Sequence, residues 1–227
     1  MAAVDLTAAI FDMDGVIVDN MAFHKKAWER FFLKYRPIMS LEEFMQHFGR
    51  TNKDLFEVLF QRSISVEEED RWGQEKEALY REAYAPFVKP VVGCVEFLRA
   101  LRAHAVCTAV ATSAPRINLD FILEHIPIKG YFNALADSSW VTRGKPDPEI
   151  YLKAAAELNC PPEACVVFED SFAGIRSGQN AGMKVVALAT THPPERLRPY
   201  SPDLIIHDFT EIDYVIFRAL IGSGGVS

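Results

Sequence analysis

The amino-acid sequence predicts an α/β protein with a parallel sheet, and three observations lead to that prediction. Apolar, β-rich runs of strand length recur along the 227 residues. Helical patterns lie between these runs, and a block of consecutive helical patterns separates the first run from the second. Near-continuous apolar strands suit a parallel sheet covered on both faces, and their alternation with helices is typical of a doubly wound α/β domain.

Five segments are the predicted strands, and most of them end in a cluster of polar residues. They are TAAIFD (7–12), CTAVATS (107–113), ACVVFED (164–170), MKVVALAT (183–190) and DLIIHD (203–208). Because ligands of an open parallel sheet bind beyond the carboxyl ends of the strands, these polar ends are the first place to look for a site.

Three helices are predicted between these strands. CVEFLRALRAH precedes the second strand, and PEIYLKAAAEL follows Asp147. Asp147 is a suitable N-cap residue, and Pro148 suits the first turn of a helix. SFAGIRSGQNAG ends on Gly182, a residue type favoured just past a helix C-terminus.

Residues 20–87 interrupt the alternation of strands and helices. They contain four helical patterns, NMAFHKKAWERFFLKY, LEEFMQHF, KDLFEVLFQR and EEEDRWGQEKEALYREAY, separated at Gly49 and around residues 62–66. The predicted organisation is a core made of residues 1–19 and 88–227 with a helical insertion at 20–87. The GSGGVS tail is predicted to be disordered.

Composition excludes several classes of partner. The net charge is −7 and no block of Lys or Arg occurs, so nucleic acid and anionic membranes are not expected partners. No apolar stretch reaches the roughly 18 residues that span a bilayer, and no signal peptide is predicted. The four cysteines show no CxxC spacing and are interpreted as buried thiols of a reducing cytosol, with zinc or disulfides as the alternative. We therefore expect a cytoplasmic protein, by default a monomer.

Acidic side chains gather at the predicted strand ends. Asp12 ends the first strand and Asp14 follows it, Glu169 and Asp170 end another, and Thr112–Ser113 end the second. Any one of these could be an ordinary strand end or helix cap, but together they predict a single crevice. An all-oxygen set without His or Cys favours Mg²⁺ over zinc.

The chemistry of such a crevice points to phosphate. Asp12 can attack as a carboxylate without a base, and Asp14 could exchange a proton with a leaving oxygen. Gly15 would relax the turn so that backbone amides approach an anion. Lys145 could neutralise a transferring phosphoryl group, the alternative being a solvated loop lysine. No P-loop and no GxGxxG after a strand is present.

Four features occur along the chain in this order: FDMDGV, a strand ending in Thr112, Lys145 before Pro146, and FEDSFAGI. Through these features the chain resembles the haloacid dehalogenase superfamily of aspartate-nucleophile phosphotransferases. The resemblance covers nearly the whole chain. It implies a Rossmann-like core with a helical cap inserted after the first strand, which is where the helical block lies.

The resemblance also implies roles for these residues. Asp12 would be the nucleophile, and Asp14 the general acid and base that also offers its backbone carbonyl to Mg²⁺. Thr112 would hold phosphoryl oxygens and Lys145 would neutralise the attacked phosphate. Asp170, with Glu169, would complete the metal site. A small phosphorylated metabolite would be the substrate.

Within the superfamily, the chain resembles β-phosphoglucomutases and related phosphatases through HKKAW, which contains His24 and Trp28, and through Lys76. Taken alone, His24 could be an interface histidine and Lys76 could extend to solvent. The candidate substrate-binding residues are His24, Trp28, Arg50, Lys53, Lys76, Ser113 and Arg116.

The sequence departs from the mutase pattern in two places. In the mutases, an arginine of the segment that corresponds to Gly49–Lys53 grips a distal phosphate, and here the basic residues of that segment stand at other positions. In addition, Ala114-Pro115-Arg116 stands where the mutase has Ser and Lys. We therefore favour a Mg²⁺-dependent phosphatase of a small phosphorylated sugar or related metabolite. The alternatives are β-phosphoglucomutase, a 2-haloacid dehalogenase, which needs neither Asp14 nor a metal, and a non-catalytic binding protein.

Overall fold

The computed structural model describes residues 6–222 and contains one six-stranded parallel sheet. The strand order is β3-β2-β1-β4-β5-β6. The strands are β1 (Ala8–Phe11), β2 (Cys107–Ala111), β3 (Ala134–Ala136), β4 (Cys165–Glu169), β5 (Lys184–Leu188) and β6 (Leu204–Ile206). The α/β fold class is confirmed. Most of the tail that was predicted to be disordered lies outside the described residues.

All five predicted strands are confirmed, with the polar residues at their ends lying just beyond most of them. The exception is Glu169, which is the last residue of β4. The short edge strand β3 was not predicted. Its three residues pair with β2 from Ala109 opposite Ala134 to Ala111 opposite Ala136, and a run that short carries no period of its own.

The helices are α1 (Met21–Tyr35), α2 (Leu41–Met45), α3 (Asn52–Phe60), α4 (Val66–Tyr84), α5 (Cys94–Ala103), α6 (Arg116–His125), α7 (Glu149–Glu157), α8 (Phe172–Asn180), α9 (Pro194–Leu197) and α10 (Tyr214–Gly222). Short 3₁₀ turns lie at Ala85–Phe87, Lys129–Tyr131, Ser138–Trp140, Pro162–Ala164, Arg198–Tyr200 and Phe209–Glu211. The three helices predicted between the strands correspond to α5, α7 and α8.

Two helix ends test the predicted capping. Pro148 rather than Asp147 occupies the N-cap of α7, and Asp147 Oδ1 accepts a hydrogen bond from the N–H of Glu149 at 3.0 Å. The predicted N-cap was therefore one residue early, although Asp147 does serve an exposed amide of the first turn. Gly182 follows α8 with a φ of +75°, as expected of a glycine past a C-terminus.

Each face of the sheet is covered by helices around its own hydrophobic cluster. On one face, Phe11 and Phe168 of the neighbouring strands β1 and β4 stack with ring centres 4.6 Å apart, beneath α5, α6 and α10. On the other face, Ile10 and Val167 are covered by α7 and α8. Because both faces of the sheet are buried, the strands consist of nearly uninterrupted apolar residues, which is why the sequence reveals them.

The helical insertion that the sequence predicted as a cap, and that is called the cap below, comprises α1 to α4 between β1 and α5. It has a third hydrophobic cluster, centred on Trp28, Phe31, Phe56 and Trp72. Side-chain N-caps from Ser40, Thr51 and Ser65 begin α2, α3 and α4. All four helical patterns predicted there form helices. The exact boundaries at 19/20 and 87/88 stay a prediction.

Within residues 6–222, no helix is both long and apolar enough to cross a membrane. The four cysteines are unpaired; three are buried and Cys107 is half-buried.

Candidate active site

Three neighbouring strands bring the predicted polar residues to one edge of the sheet. β1 pairs with β2 on one side and with β4 on the other. Asp12 directly follows β1, Thr112 follows β2, and Asp170 follows β4. The carboxyl ends of the three strands therefore form one crevice, as the sequence predicted.

Lys145 lies at the centre of this crevice and is 2 % exposed. Its ammonium donates to Asp12 Oδ1 and to Glu169 Oε1, both at 2.6 Å, and to the carbonyl of Ala111 at 3.2 Å. Burial disfavours the charge, but the two carboxylates outweigh it and raise the pKa of Lys145 above its ordinary value. The alternative of a solvated loop lysine is therefore wrong.

Asp12 is buried, with one carboxylate oxygen held and the other open. Oδ1 accepts from Lys145, whereas Oδ2 accepts no hydrogen bond from any residue in 6–222. Burial raises the pKa of Asp12 to about 7, and Lys145 opposes that rise. A second positive charge would keep Asp12 ionised at neutral pH.

Glu169 differs from its predicted role as a metal ligand. Its two oxygens accept five hydrogen bonds, from Lys145, the Tyr151 hydroxyl, the Ser171 hydroxyl and the backbone N–H groups of Asp170 and Ser171, at distances of 2.6 to 3.1 Å. These donors occupy both oxygens, and the side chain does not line the cavity that Asp12 and Asp170 line. We correct its role to fixing the position of Lys145.

Asp14 is held by two polar side chains of the region that follows β1. Asn20 donates to Asp14 Oδ1 at 2.5 Å, and His24 Nε2 lies 3.4 Å from the same oxygen without the alignment of a hydrogen bond. Burial favours the protonated acid, but His24 and the Asn20 amide outweigh it and lower the pKa of Asp14. Asp14 is therefore ionised at neutral pH.

Asp170 is buried beside the other carboxylates, with the Thr191 hydroxyl as its hydrogen-bond donor. Burial and the negative charges of Glu169 and Asp12 raise the pKa of Asp170 well above its usual range. Gly15, with a φ of +76°, passes so close that a Cβ there would overlap the Asp170 carboxylate. The glycine predicted to relax this turn is required for that approach as well.

These residues fit a hard divalent cation. Within residues 6–222 no three Asp, Glu, His or Cys side chains form a complete metal cage. Mg²⁺ does not need one, because it keeps several waters and binds through one or two carboxylates. Asp12 and Asp170 supply two carboxylates with too much negative charge for one lysine to balance. The predicted Mg²⁺ site is therefore compatible with Asp12 and Asp170.

The loop after β2 joins the site to the helical cap. Thr112 is buried, and its hydroxyl accepts from the N–H of Ala114 at 3.1 Å. Ser113 Oγ donates to the carbonyl of Gly49, between α2 and α3, at 2.7 Å. Both residues line the same cavity as Asp12, in line with their predicted places at a phosphate.

Four of the seven predicted substrate-binding residues line this cavity, which measures about 50 Å³. They are His24, Arg50, Lys76 and Ser113. Arg50 Nε is buried without a hydrogen-bond partner in the described structure. Lys76 does not extend to solvent: it is 3 % exposed and lies 3.1 Å from His24 Nδ1.

The structure places the other three elsewhere. Trp28 is fully buried in the hydrophobic cluster of the cap, where its ring packs against Phe44. Lys53 is exposed and lines an adjoining cleft of about 520 Å³ between α3, α4 and residues 138–146. Arg116 is 51 % exposed and pairs with Asp120 at 3.0 Å. None of the three lines the cavity beside Asp12. The substrate-binding assignments of Trp28 and Arg116 are corrected, whereas that of Lys53 stays a prediction because Lys53 lines the larger cleft.

Sequence reasoning missed several residues that build the site. Asn20, Glu77, Tyr151, Ser171 and Thr191 are the polar residues that hold the predicted ones in place. Ser171 alone carried a local signal, since it lies in the quoted segment FEDSFAGI. The others belong to no motif, and their contacts with the predicted residues range from the adjacent pair Lys76–Glu77 to the pair Asp170–Thr191, 21 residues apart.

A family model described as haloacid dehalogenase-like hydrolase matches residues 9–188, which include every catalytic position named above. The chain belongs to the haloacid dehalogenase-like hydrolase family. The resemblance seen in the motifs is confirmed, and the similar phosphatases described next support the expected phosphohydrolase.

Two curated relatives and one solved structure illustrate where in the family it lies. The chain is 31 % identical over 204 residues to validoxylamine A 7′-phosphate phosphatase of Streptomyces hygroscopicus subsp. limoneus, covering 90 % of this chain and 94 % of that protein. It is 29 % identical to a phosphorylated carbohydrates phosphatase of Thermotoga maritima, covering 79 % and 83 %. A β-phosphoglucomutase structure from Clostridium difficile superimposes with a TM-score of 0.83 at 24 % identity, covering 96 % and 98 %, which shows the shared fold.

Proposed function

We propose that this protein is a Mg²⁺-dependent phosphatase of small phosphorylated carbohydrates or related metabolites. One observation carries the proposal: Asp12, whose Oδ2 accepts no hydrogen bond from residues 6–222, lines a cavity that Asp14, Thr112 and Asp170 also line, while Lys145 holds the other Asp12 oxygen. A carboxylate held in this way is ready to attack phosphorus, because one oxygen is fixed and the other is free.

In the first step, Asp12 Oδ2 bonds to phosphorus and the bond to the alcohol oxygen of the substrate breaks. Lys145 offsets negative charge near the transferring group, and the Thr112 hydroxyl is placed to contact a phosphoryl oxygen. Charge neutralisation and positioning account for most of the rate in phosphoryl transfer. The product of this step is an aspartyl-phosphate on Asp12.

Asp14 then serves both halves of the reaction. Its lowered pKa gives the ionised form, which accepts a proton from the water that hydrolyses the aspartyl-phosphate. In the first half it must carry a proton for the leaving alcohol. A phosphate dianion bound beside Asp14 favours that form, because a neighbouring negative charge raises the pKa of a carboxyl group.

Asp12 and Asp170 would hold the Mg²⁺ ion, with the backbone carbonyl of Asp14 as the further ligand that the family resemblance implies. Bound there, the ion would neutralise phosphoryl charge and keep Asp12 ionised. Its charge would also offset the crowding that raises the pKa of Asp170.

The substrate class is inferred from the relatives and the shape of the site. Two similar phosphatases are named for validoxylamine A 7′-phosphate and for phosphorylated carbohydrates. The cavity of about 50 Å³ suits a phosphoryl group and little more. A sugar leaving group would then extend toward Arg50, Asn52 and Glu77, which border both this cavity and the cleft of about 520 Å³.

The β-phosphoglucomutase alternative needs a firm grip on a bisphosphate while the sugar reverses. Of the basic residues considered for that grip, Arg50 alone lines the cavity, while Lys53 and Arg116 lie outside it. We therefore favour hydrolysis. The dehalogenase alternative is disfavoured because Asn20 and His24 are arranged around Asp14, a residue which that chemistry does not use.

A substrate panel tests the function. Sugar phosphates, nucleotides and pyrophosphate are incubated with Mg²⁺, and inorganic phosphate is measured together with the conversion of β-glucose 1-phosphate to glucose 6-phosphate primed by the bisphosphate. We expect phosphate release from sugar phosphates, lost in Asp12→Asn and on chelation. Isomerisation without net phosphate release would establish the mutase instead, and halide release from a 2-haloacid after chelation would establish the dehalogenase.

We also propose that the protein acts in the cytoplasm as a monomer, without nucleic acid or membrane partners. The net charge of −7 supports the absence of nucleic-acid and anionic-membrane partners, and the four unpaired cysteines support a reducing cytoplasm. The monomer is the default expectation. Sedimentation equilibrium of the purified chain tests the monomer, and a dimer mass would refute it.

A further inference from the structure

Glu77, on α4 of the cap, is a buried carboxylate that takes no part in the bond-making and proton-transfer steps described above. It is 3 % exposed. Burial disfavours its charge, but Lys76 and His24 outweigh this effect and lower the pKa of Glu77. Removing a partner from a buried charge of this kind is costly, so the contacts of Glu77 indicate what it holds together.

One set of contacts leads from Glu77 to the active site. Glu77 Oε1 accepts from Lys76 Nζ at 2.8 Å, and the same ammonium lies 3.1 Å from His24 Nδ1. The other nitrogen of the His24 ring lies 3.4 Å from Asp14 Oδ1, and the ring stacks on Tyr80 with centres 3.8 Å apart. Glu77 thus holds Lys76, and Lys76 in turn holds His24, which faces Asp14.

A second set of contacts leads from Glu77 to the core. Its Oε2 accepts from Asn118 Nδ2 at 2.6 Å, and Asn118 lies on α6, the helix that directly follows the Thr112 loop. Asn118 is fully buried and its Oδ1 accepts from Arg81 at 2.7 Å. Asn52 of α3 donates to Glu77 Oε1 at 2.9 Å, which ties a third cap helix to the same carboxylate.

We propose that Glu77 is a positioning residue: its carboxylate fastens the helical cap to the core through Asn118 and, through Lys76, holds His24 against Asp14. The inference rests on the proposed function, because positioning of Asp14 matters only for a reaction that uses it. Docking of the cap on α6 and placement of His24 against Asp14 then depend on the same carboxylate. If the cap separates from α6, the same carboxylate is left with fewer donors and Lys76 is held less firmly.

The test uses isosteric exchanges on the full-length protein. In Glu77→Gln, an amide replaces the carboxylate that accepts from Lys76, Asn52 and Asn118. In Asn118→Asp, the introduced carboxylate faces the carboxylate of Glu77. In the double variant the amide introduced at position 77 can donate to the carboxylate introduced at position 118, so the bond returns with donor and acceptor exchanged. Glu75→Gln is the matched control, since Glu75 lies on the same helix and pairs with Lys34 on the exposed side.

Steady-state hydrolysis of p-nitrophenyl phosphate with Mg²⁺ and hydrogen–deuterium exchange of α4 and α6 are measured for all four variants. We expect each single exchange at positions 77 and 118 to lower kcat about tenfold to a hundredfold, with KM changed less than about threefold. In these variants, hydrogen–deuterium exchange at the start of α6 should be faster than in wild type. The double variant should recover at least about fivefold in kcat over the weaker single variant, and Glu75→Gln should match wild type.

A Glu77→Gln protein that folds and keeps kcat within about twofold of wild type would overturn the inference, as would a double variant no better than either single one. If Glu77→Gln fails to fold, Asn118→Asp decides the question, because it leaves the Lys76 contact intact. A wild-type protein without phosphatase activity would instead refute the proposed function. Hydrogen exchange would then still decide whether Glu77 fastens the cap.

Discussion

At the scale of single residues, the site depends on one ammonium placed between two carboxylates. Lys145 binds Asp12 and Glu169 at 2.6 Å each, and Glu169 is in turn fixed by four further donors. A buried ion pair of this kind contributes little net stability, but removing one partner is costly because it leaves an unpaired buried charge. Its value here is the fixed position and the charge of Asp12.

Replacing Lys145 should therefore change the pH dependence of activity. The pKa of Asp12 is raised to about 7 and Lys145 opposes the rise, so Lys145→Gln raises that pKa further. Because Asp12 must be ionised to attack, the acid limb of kcat/KM should move to higher pH, with kcat reduced on the order of a hundredfold. The exposed Lys153→Gln, on α7, serves as control. An acid limb that stays in place or moves to lower pH would contradict this account.

Much of the site at this scale could be predicted from the sequence. Asp12, Thr112 and Asp170 each follow a strand, and the carboxyl ends of the strands in a parallel sheet meet at one edge. Glu169 was misassigned, because the number of donors around a side chain is invisible in the sequence. Glu77 was missed for a related reason: its partner Asn118 lies 41 residues away, on a helix of the core.

At the scale of secondary-structure elements, the turn after β1 is constrained by its close approach to Asp170. Gly15 has a φ of +76°, and a Cβ at that position would overlap the Asp170 carboxylate. Gly15→Ala should therefore lower Tm, since the left-handed conformation alone costs about 1–2 kcal/mol, and it should weaken Mg²⁺ binding by displacing Asp170. Gly130→Ala, where a Cβ meets no atom within 4 Å, is the matched control. Equal Tm values for the two variants would contradict the expectation.

The contact between α8 and the segment before α9 should give a pH-dependent stability. His192 stacks on Phe172 with ring centres 4.0 Å apart, and burial together with Arg196 lowers its pKa from 6.5 to about 4. The folded state then binds fewer protons than the unfolded chain, so this stability is present above about pH 6.5 and is lost as pH falls toward 4.

Urea denaturation near neutral pH and near pH 5 measures that loss. His192→Phe keeps an aromatic ring against Phe172 but cannot titrate, so its free energy of unfolding should fall less between the two pH values than that of wild type. An identical fall in both proteins would show that His192 does not contribute.

Element prediction succeeded where a pattern was long and failed where it was short. Five strands and the four cap helices have clear apolar patterns and were found. The three-residue strand β3 has none, and it forms because Ala134–Ala136 pair with β2. Helix α6 was not predicted, although Leu119, Ile122 and Leu123 lie on its buried side at helical spacing.

At the scale of the whole molecule, the crowded carboxylates link stability to metal binding. Asp170 has a pKa well above its usual range because burial, Glu169 and Asp12 all disfavour its charge. A cation that binds the folded state should therefore raise Tm in a concentration-dependent way. We expect Mg²⁺ to raise the Tm of wild type and to leave that of Asp170→Asn unchanged, with NaCl of equal ionic strength as control. The same rise in both proteins would argue against a metal at Asp170.

The central claim is that Asp12 carries the phosphoryl group between substrate and water. A rapid-quench experiment tests it directly: the enzyme is mixed with Mg²⁺ and a sugar phosphate it hydrolyses, stopped within the first turnover, and treated with borohydride, which reduces an acyl phosphate to an alcohol. Peptide mapping should find homoserine at position 12, formed only with substrate present, and phosphate release should match substrate consumed. Phosphate released within that turnover with Asp12 unmodified, or with another residue labelled, would contradict the account.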